Sequence, residues 1–472
     1  MKGLQFGAHI RYPWLLIGSL AQRVQHFSLL RNSIYIIGTG AATSIFGYFF
    51  WILAAHIYSA AAVGLGSALI SAMTLAALFG NLGMGSTLVQ MLPGRKKGYA
   101  WSLTLNAGLA TGIVAGLLAG IISVVTLPLI WRQFSIVGND AGYRLIFLIS
   151  VPIMIVSTLL DQAFIAERSA HNMLVRNAVV AILKIPLMVL PVVLLAQVGA
   201  MGIFLAGVLA MAIALIAAMA VQIPRLGRGY CLALRGLVGQ VRSMLSALTG
   251  NYFINLGGQA GGYLLPVFVL VRLSATDTAY YYTATRVGDF LLVGSAAVAT
   301  SLFAEGSHAA HDLTRKVRSS AVIISMLLGP GILVCFFAGS YILSVFGPGY
   351  AHHGAIVLKI EAISSIPDAI TNIYISILRI HHRLRFAALL NLGMGVLTLP
   401  LAWMLLPVLG IAGVPVAVII AEAAGSLAAG VDLMRMRHHR HSAGGVAIAD
   451  DSGSTQMADT LKIERRNTQQ RG

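Results

Sequence analysis

The chain has 472 residues, of which 58% are hydrophobic and only 10% charged, where an ordinary soluble domain carries about 25% charge. That balance excludes a soluble enzyme or soluble binding module, because too little charge is present to cover a water-facing surface. The formal charge of +17 raises the question of nucleic acid, which the distribution of that charge answers.

Segments of about 20 apolar residues, each able to cross roughly 30 Å of hydrocarbon, recur along the chain. Helices are predicted near 33–57, 63–88, 101–127, 144–164, 174–196 and 199–222, then near 244–270, 278–303, 319–345, 355–378, 386–408 and 410–434. The expected fold is an all-α polytopic membrane protein of about twelve transmembrane helices. Residues 1–31 contain a short apolar run, Trp14–Ala21, with no small-x-small cleavage site. They read as a cytoplasmic lead-in, not a signal peptide. The expected units are helices over 32–222, a basic linker over 223–243, helices over 244–434, and a tail over 435–472 that turns polar and reads as disordered.

Positive charge alternates between successive connectors. One set carries Arg95, Lys96 and Lys97, then Arg168 and Arg176, then Arg225, Arg228, Arg235 and Arg242. It continues with Arg315, Lys316 and Arg318, then Arg379, Arg383 and Arg385, and includes both terminal segments. The opposite set holds Arg132, Arg144 and Arg272. Cytoplasmic loops are enriched in Lys and Arg, so both termini are expected in the cytoplasm. The excess charge is topological, and no nucleic-acid partner is expected. The cluster from Arg435 to His441 suits anionic lipid headgroups. Cys231 falls in a basic loop and Cys335 in an apolar span, which does not support a disulfide.

The two sets of helices repeat one pattern. Ser59 to Gly64 matches Ser274 to Ala279, Pro152 matches Pro367, and Gly199-Ala-Met-Gly202 matches Gly410-Ile-Ala-Gly413, in order and at a nearly constant offset. A repeat with an even number of spans keeps its orientation, so the expectation is two six-helix bundles related by a pseudo-twofold axis along the membrane normal. Substrate sites in transporters of this design lie near mid-membrane at the repeat interface.

The repeat directs attention to polar residues inside the spans. Tyr282, Arg286 and Asp289 share one face of the eighth helix, and their repeat mates are Ser67, Ser71 and Thr74 in the second. Asn251, Asn255 and Gln259 share a face of the seventh helix and overlie Tyr35, Thr39 and Thr43 in the first. Four such faces read as the lining of a cavity. Arg286 is predicted roughly 12 Å inside its helix, where an unpaired arginine costs at least about 2.5 kcal/mol. It therefore needs a partner, and Asp289 is nearest. The pair reads either as a structural clamp or as an anion-binding cation moderated by an acid.

Further charges fall within the spans. Asp161 and Lys184 are expected near helix ends, where they can snorkel. Asp368, after Pro367, and Glu422, alone at mid-span, are candidates for ion coupling together with Asp289. Gly257-Gly-Gln-Ala-Gly-Gly262 has the spacing of close helix packing, or of a hinge. His352-His353 and His381-His382 lack companion ligands, so no metal is expected, and no cofactor either. No Gly-x-x-x-x-Gly-Lys-Ser/Thr loop is present, and no connector assembles a nucleophile, base and third group. A transporter is expected rather than an enzyme, driven by an ion gradient, the membrane potential or consumption of its product.

The run from Phe46 to Gly64 (FGYFFWILAAHIYSAAAVG), Phe346-Gly-Pro-Gly-Tyr350 and Pro367-Asp368 resemble bacterial oligosaccharide flippases of the polysaccharide-export, or Wzx-like, type. The resemblance spans roughly residues 30–435 and extends to the superfamily that includes MATE drug exporters and lipid II flippases. It implies alternating access by a V-shaped pair of bundles. It also implies a polyprenyl-pyrophosphate-linked oligosaccharide substrate, turned to the outer leaflet of the bacterial inner membrane for surface, lipopolysaccharide or exopolysaccharide synthesis. Implied partners are that substrate, the bilayer, and polysaccharide polymerase or export machinery. In this reading Asn251, Asn255, Gln259, Tyr282 and Tyr35 hydrogen-bond sugars and Arg286 meets the pyrophosphate. A proton- or sodium-coupled exporter of organic cations is the alternative, with Asp289, Asp368 or Glu422 as its acid. A scaffold for a synthase would need no polar seam.

Overall fold

The computed structural model describes residues 28–195, 199–245, 249–308, 313–381 and 383–435. The expectations for the N-terminal lead, the Arg435–His441 cluster beyond Arg435 and the polar tail lie outside the described residues.

All regular structure among the described residues is helical. The long helices are α1 (Ser28–Ile57), α2 (Ala60–Gly80), α3 (Tyr99–Ile130), α4 (Ala141–Ala166), α5 (Ala170–Leu195) and α6 (Ala200–Ala217) in the first half. The second half has α7 (Thr249–Arg272), α8 (Ala275–His308), α9 (Leu313–Ser344), α10 (Pro348–Ile380), α11 (Leu384–Leu409) and α12 (413–435). Eight stretches of the described residues are long and apolar enough to cross a membrane by composition. α8 and α10 are as long but interrupt their apolar runs with Arg286 and Asp289, and with Lys359, Glu361 and Asp368. Helices that carry charge in mid-span bury it against protein or water.

The second predicted span, near 63–88, is not one helix. α2 ends at Gly80, Leu82 and Gly83 take left-handed conformations with φ of 51° and 77°, and a short helix restarts over Met84–Met91. Apolar content continues through this turn, so hydropathy alone hides it. The linker also gains structure. A π-helical turn and Ile223–Gly227 prolong α6, and a strap then lies along α3, where Asn106 Nδ2 donates to the Cys231 carbonyl at 3.1 Å. The short helix Leu237–Leu245 follows.

The sequence repeat marks equivalent structural positions. Ser59 and Ser274 both cap helices, their hydroxyl oxygens accepting from the backbone N–H of Ala62 at 3.2 Å and of Asp277 at 3.0 Å. These bonds satisfy amides that a helix leaves open at its start. Pro152 and Pro367 lie inside α4 and α10. The packing repeats as well: α1 packs on α5 as α7 packs on α11, and α2, α3 and α4 form a mutual group, as do α8, α9 and α10. In the first half, glycines on one face of α3 admit α4 closely. A Cβ at Gly112 would lie 2.7 Å from Leu159 Cδ1, and one at Gly116 would lie 2.7 Å from the Cα of Pro152. Small residues four apart allow such approach inside a membrane, where packing rather than hydrophobic drive joins helices.

The halves meet through α2, which touches α7 and α8. Val267 and Leu270 of α7 share a buried cluster with Leu69 and Met73 of α2. The closest approach is at the end carrying the α1–α2 and α7–α8 turns, called here the upper end. There a Cβ on Gly64 would fall 2.6 Å from the Ala275 carbonyl carbon and 2.9 Å from the Ala279 nitrogen. Only glycine lets two backbones come this near. Gln133, in the turn after α3, reaches across to donate to the Val271 carbonyl at 2.8 Å.

Candidate functional site

A cavity of about 280 Å³ opens at the seam between the halves. α1 contributes Thr43, Ser44, Gly47, Tyr48 and Trp51, α5 contributes Lys184, and α8 contributes Tyr282, Arg286, Asp289 and Phe290. Counting rises along each helix, Tyr48, Lys184 and Arg286 lie about 14 to 17 Å below the upper end. Arg286 Nη1 is 3.1 Å from Asp289 Oδ2, and the two side chains are 45% and 37% exposed, so both face open space. The guanidinium also lies over the Tyr282 ring at 4.9 Å. Tyr282 in turn meets Trp51 edge to face at 4.9 Å, joining the two halves. Aromatic faces hold cations by their quadrupole, and they leave the outward N–H groups of the guanidinium available.

Lys184 corrects an expectation. It does not snorkel from a helix end; it lies mid-helix in α5, its Nζ over the Phe50 ring at 4.8 Å and its side chain lining the same cavity as Arg286. Two cations and one acid therefore line this chamber. Glu361 of α10 stands directly behind it, packed against Gly288, where a Cβ would meet Glu361 Cγ at 2.7 Å. Neither Lys184 nor Glu361 was legible as part of the site. The signal the sequence held was a charge inside an apolar span, which marks a residue without saying which helix it faces.

A second chamber of about 400 Å³ lies lower. Thr74 of α2, Asn81 just after it, Ser86 of the short helix, Thr158 and Gln162 of α4, and Gln259 and Tyr263 of α7 line it with uncharged hydrogen-bonding groups.

The four expected polar faces thus converge only in part. Tyr282, Arg286 and Asp289 meet α1 in the upper chamber, and Thr74 meets Gln259 in the lower one. Ser67 and Ser71 line neither chamber: both are buried, and the Ser67 hydroxyl donates to the Gly64 carbonyl of its own helix at 2.8 Å. Thr39 is likewise buried and donates to the Tyr35 carbonyl at 2.8 Å, while Tyr35 sits edge-on to His171 at 6.0 Å. Helical hydroxyls can bond back to their own turn, so a stripe of them is as easily packed as wetted. The side chains of Asn251 and Asn255 lie outside the described residues.

Three further acids within the spans have partners. Asp161 pairs with Arg176 at 2.7 Å and accepts from Asn177 Nδ2 at 3.1 Å. Arg176, expected in a connector, is inside α5 and only 2% exposed. This pair clamps α4 to α5. In the second half Asp368 accepts from Ser295 and from Asn372, both at 2.9 Å. One turn away Thr371 donates to Glu422 at 2.9 Å. Glu422 opens into a cavity of about 230 Å³ with Gly261, Gly262, Asn391 and Thr398. Gly261 and Gly262 have no atom within 4 Å of where a Cβ would stand, so the close packing expected of this glycine run is not made at these two positions. Gly257 and Gly258 lie outside the described side chains.

No family model and no curated protein matches the chain. Solved structures do. An inward-facing multidrug resistance MATE family transporter of the MOP superfamily aligns over 84% of this chain and 96% of its own, with a TM-score of 0.61 at 12% identity. The lipid II flippase MurJ, in an inward closed conformation, aligns over 85% and 87%, with a TM-score of 0.65 at 13% identity. A MOP superfamily transporter from Pyrococcus furiosus, described as having a binding pocket of reversed polarity, aligns over 87% and 95%, with a TM-score of 0.58 at 13% identity. The chain has the multi-pass, all-helical membrane fold that these proteins share.

Proposed function

We propose that this protein is a flippase that carries a polyprenyl-pyrophosphate-linked oligosaccharide across the bacterial inner membrane by alternating access, with both termini in the cytoplasm. The observation that carries this reading is the pairing of two chambers. The upper one places Arg286 and Lys184 against a single lining acid, Asp289. The lower one offers only uncharged donors and acceptors. A pyrophosphate needs cations and hydrogen-bond donors, and a sugar needs many neutral hydrogen bonds. The Arg286–Asp289 pair is then a site in which Asp289 moderates the charge and gives up the guanidinium when phosphate arrives. Asp368 and Glu422, linked through one turn of α10, are the groups proposed for ion coupling. The product would feed a polysaccharide polymerase or export machinery.

The test is deletion of the gene in its native host, with lipid-linked oligosaccharides and surface polysaccharide quantified from the same cells. Accumulated precursor and lost polymer, restored by the wild-type plasmid and not by a well-expressed Arg286→Ala variant, is the expected result. A second reading, a MATE-like proton- or sodium-coupled exporter of organic cations, draws on the acids Asp289, Asp368 and Glu422 within the helices of the second half. Unchanged lipids and polymer with new sensitivity to cationic dyes would replace the flippase reading with this one.

A further inference from the structure

Beside the Arg286 chamber lies a cavity of opposite character, about 400 Å³ in volume and walled almost entirely by carbon. Ile45 and Phe49 of α1, Leu291 of α8 and Val334 of α9 line it, and Tyr48 and Phe290 line both this groove and the charged chamber. Those two rings meet edge to face at 6.3 Å. They form a partition with Arg286, Lys184 and Asp289 on one side and hydrocarbon on the other. Ile45, Phe49, Phe290 and Val334 are all exposed, so the groove faces outward, where lipid would lie. The partition also stands at a weak seam: α1 and α8 touch sparingly, whereas α1 packs closely on α5 and α8 on α10.

We infer that this α1–α8–α9 groove holds the hydrocarbon chain of the same amphiphile whose diphosphate head sits on Arg286 and Lys184, an inference that rests on the flippase reading above. An amphiphile whose head crosses inside the protein while its chain stays in lipid must pass where a polar wall and an apolar wall share an edge. Tyr48 and Phe290 are that edge. The chain gains nothing here from leaving water, since the bilayer around it is as apolar as the groove. What the groove adds is shape: rigid rings at fixed spacing, which select by dispersion contact. A methyl-branched polyprenyl chain, stiffer than an acyl chain, loses less freedom on being aligned there. The groove thereby discriminates by chain, and the chamber by head.

The experiment uses the full chain in phospholipid nanodiscs and two probes, a long-chain polyprenyl diphosphate and inorganic pyrophosphate. Val334→Trp and, on the opposite wall, Ile45→Trp fill the groove without replacing any residue of the chamber, and thermal melting confirms that each is folded. Both variants are expected to weaken binding of the polyprenyl diphosphate about tenfold, equivalent to about 1.4 kcal/mol, while leaving pyrophosphate binding unchanged. Arg286→Ala is expected to weaken both probes. If both groove variants leave the ratio of the two affinities as in the wild type, the groove assignment is overturned while the chamber stands. If ordinary phospholipid acyl chains hold the groove equally well, diacylglycerol diphosphate added as a third probe will bind the wild type as tightly as the polyprenyl diphosphate does, which also overturns it. If the double variant Lys184→Ala/Arg286→Ala binds both probes as the wild type does, the flippase reading of the chamber fails instead.

Discussion

Alanine at Gly64 would insert a methyl group between two backbones. Its Cβ would stand 2.6 Å from the Ala275 carbonyl carbon and 2.9 Å from the Ala279 nitrogen, and backbone atoms cannot swing aside as a side chain can. α2 and α8 must separate at the upper end, where the halves are closed against each other. Overpacking of this kind costs about 1–3 kcal/mol, and charged against a closed–open equilibrium that cost shifts populations about 5- to 150-fold toward the open arrangement. Spin labels at His56 and His352, both exposed at the upper end of opposite halves, would read the change in a cysteine-free background. The wild type should give a short distance distribution and Gly64→Ala a longer one, with transport reduced. Gly207→Ala serves as control, since no atom lies within 4 Å of its Cβ position. An unchanged distance distribution in a folded Gly64→Ala protein would refute the assignment of this contact as the closure between halves.

Three further outcomes follow from the geometry. Lys184→Ala should lower transport at least about tenfold with Arg286 intact, and Lys184→Arg should retain most of it, because the chamber needs the charge on α5; equal activity of all three proteins would remove Lys184 from the site. Arg176→Ala leaves Asp161 without its cation in a buried position and should cost about 3 kcal/mol, the low end for a broken buried pair, because Asn177 still bonds the carboxylate; thermal unfolding in detergent measures it, and double replacement with Asp161→Asn should recover part of the loss. Gly116→Ala, whose Cβ would meet the Pro152 backbone at 2.7 Å, should destabilise the first half by about 1–3 kcal/mol, read as lowered melting temperature, whereas Gly207→Ala should not.

What the sequence determined by itself was whatever depends on one segment at a time. The spans follow from runs of apolar residues, their expected orientation from the charge of the connectors, and the repeat from matched helix starts such as Ser59 and Ser274, which the structure shows as equivalent caps. Arg286 announced itself because a charge in an apolar run is costly wherever the helix is placed. Tertiary structure decided which polar groups face one another. Ser67 and Ser71 have the spacing of a wetted face, yet a hydroxyl that can bond its own helix is content in packing, and only the neighbours reveal which has happened. Lys184 shows the converse, for its membership of the chamber comes from α5 standing beside α1 and α8. The break at Leu82 and Gly83 escaped hydropathy because a chain can turn without becoming polar. Periodicity fixes the direction of a side chain about its own axis, and the rotation and depth of one helix against another are set by packing between them, which no single segment encodes.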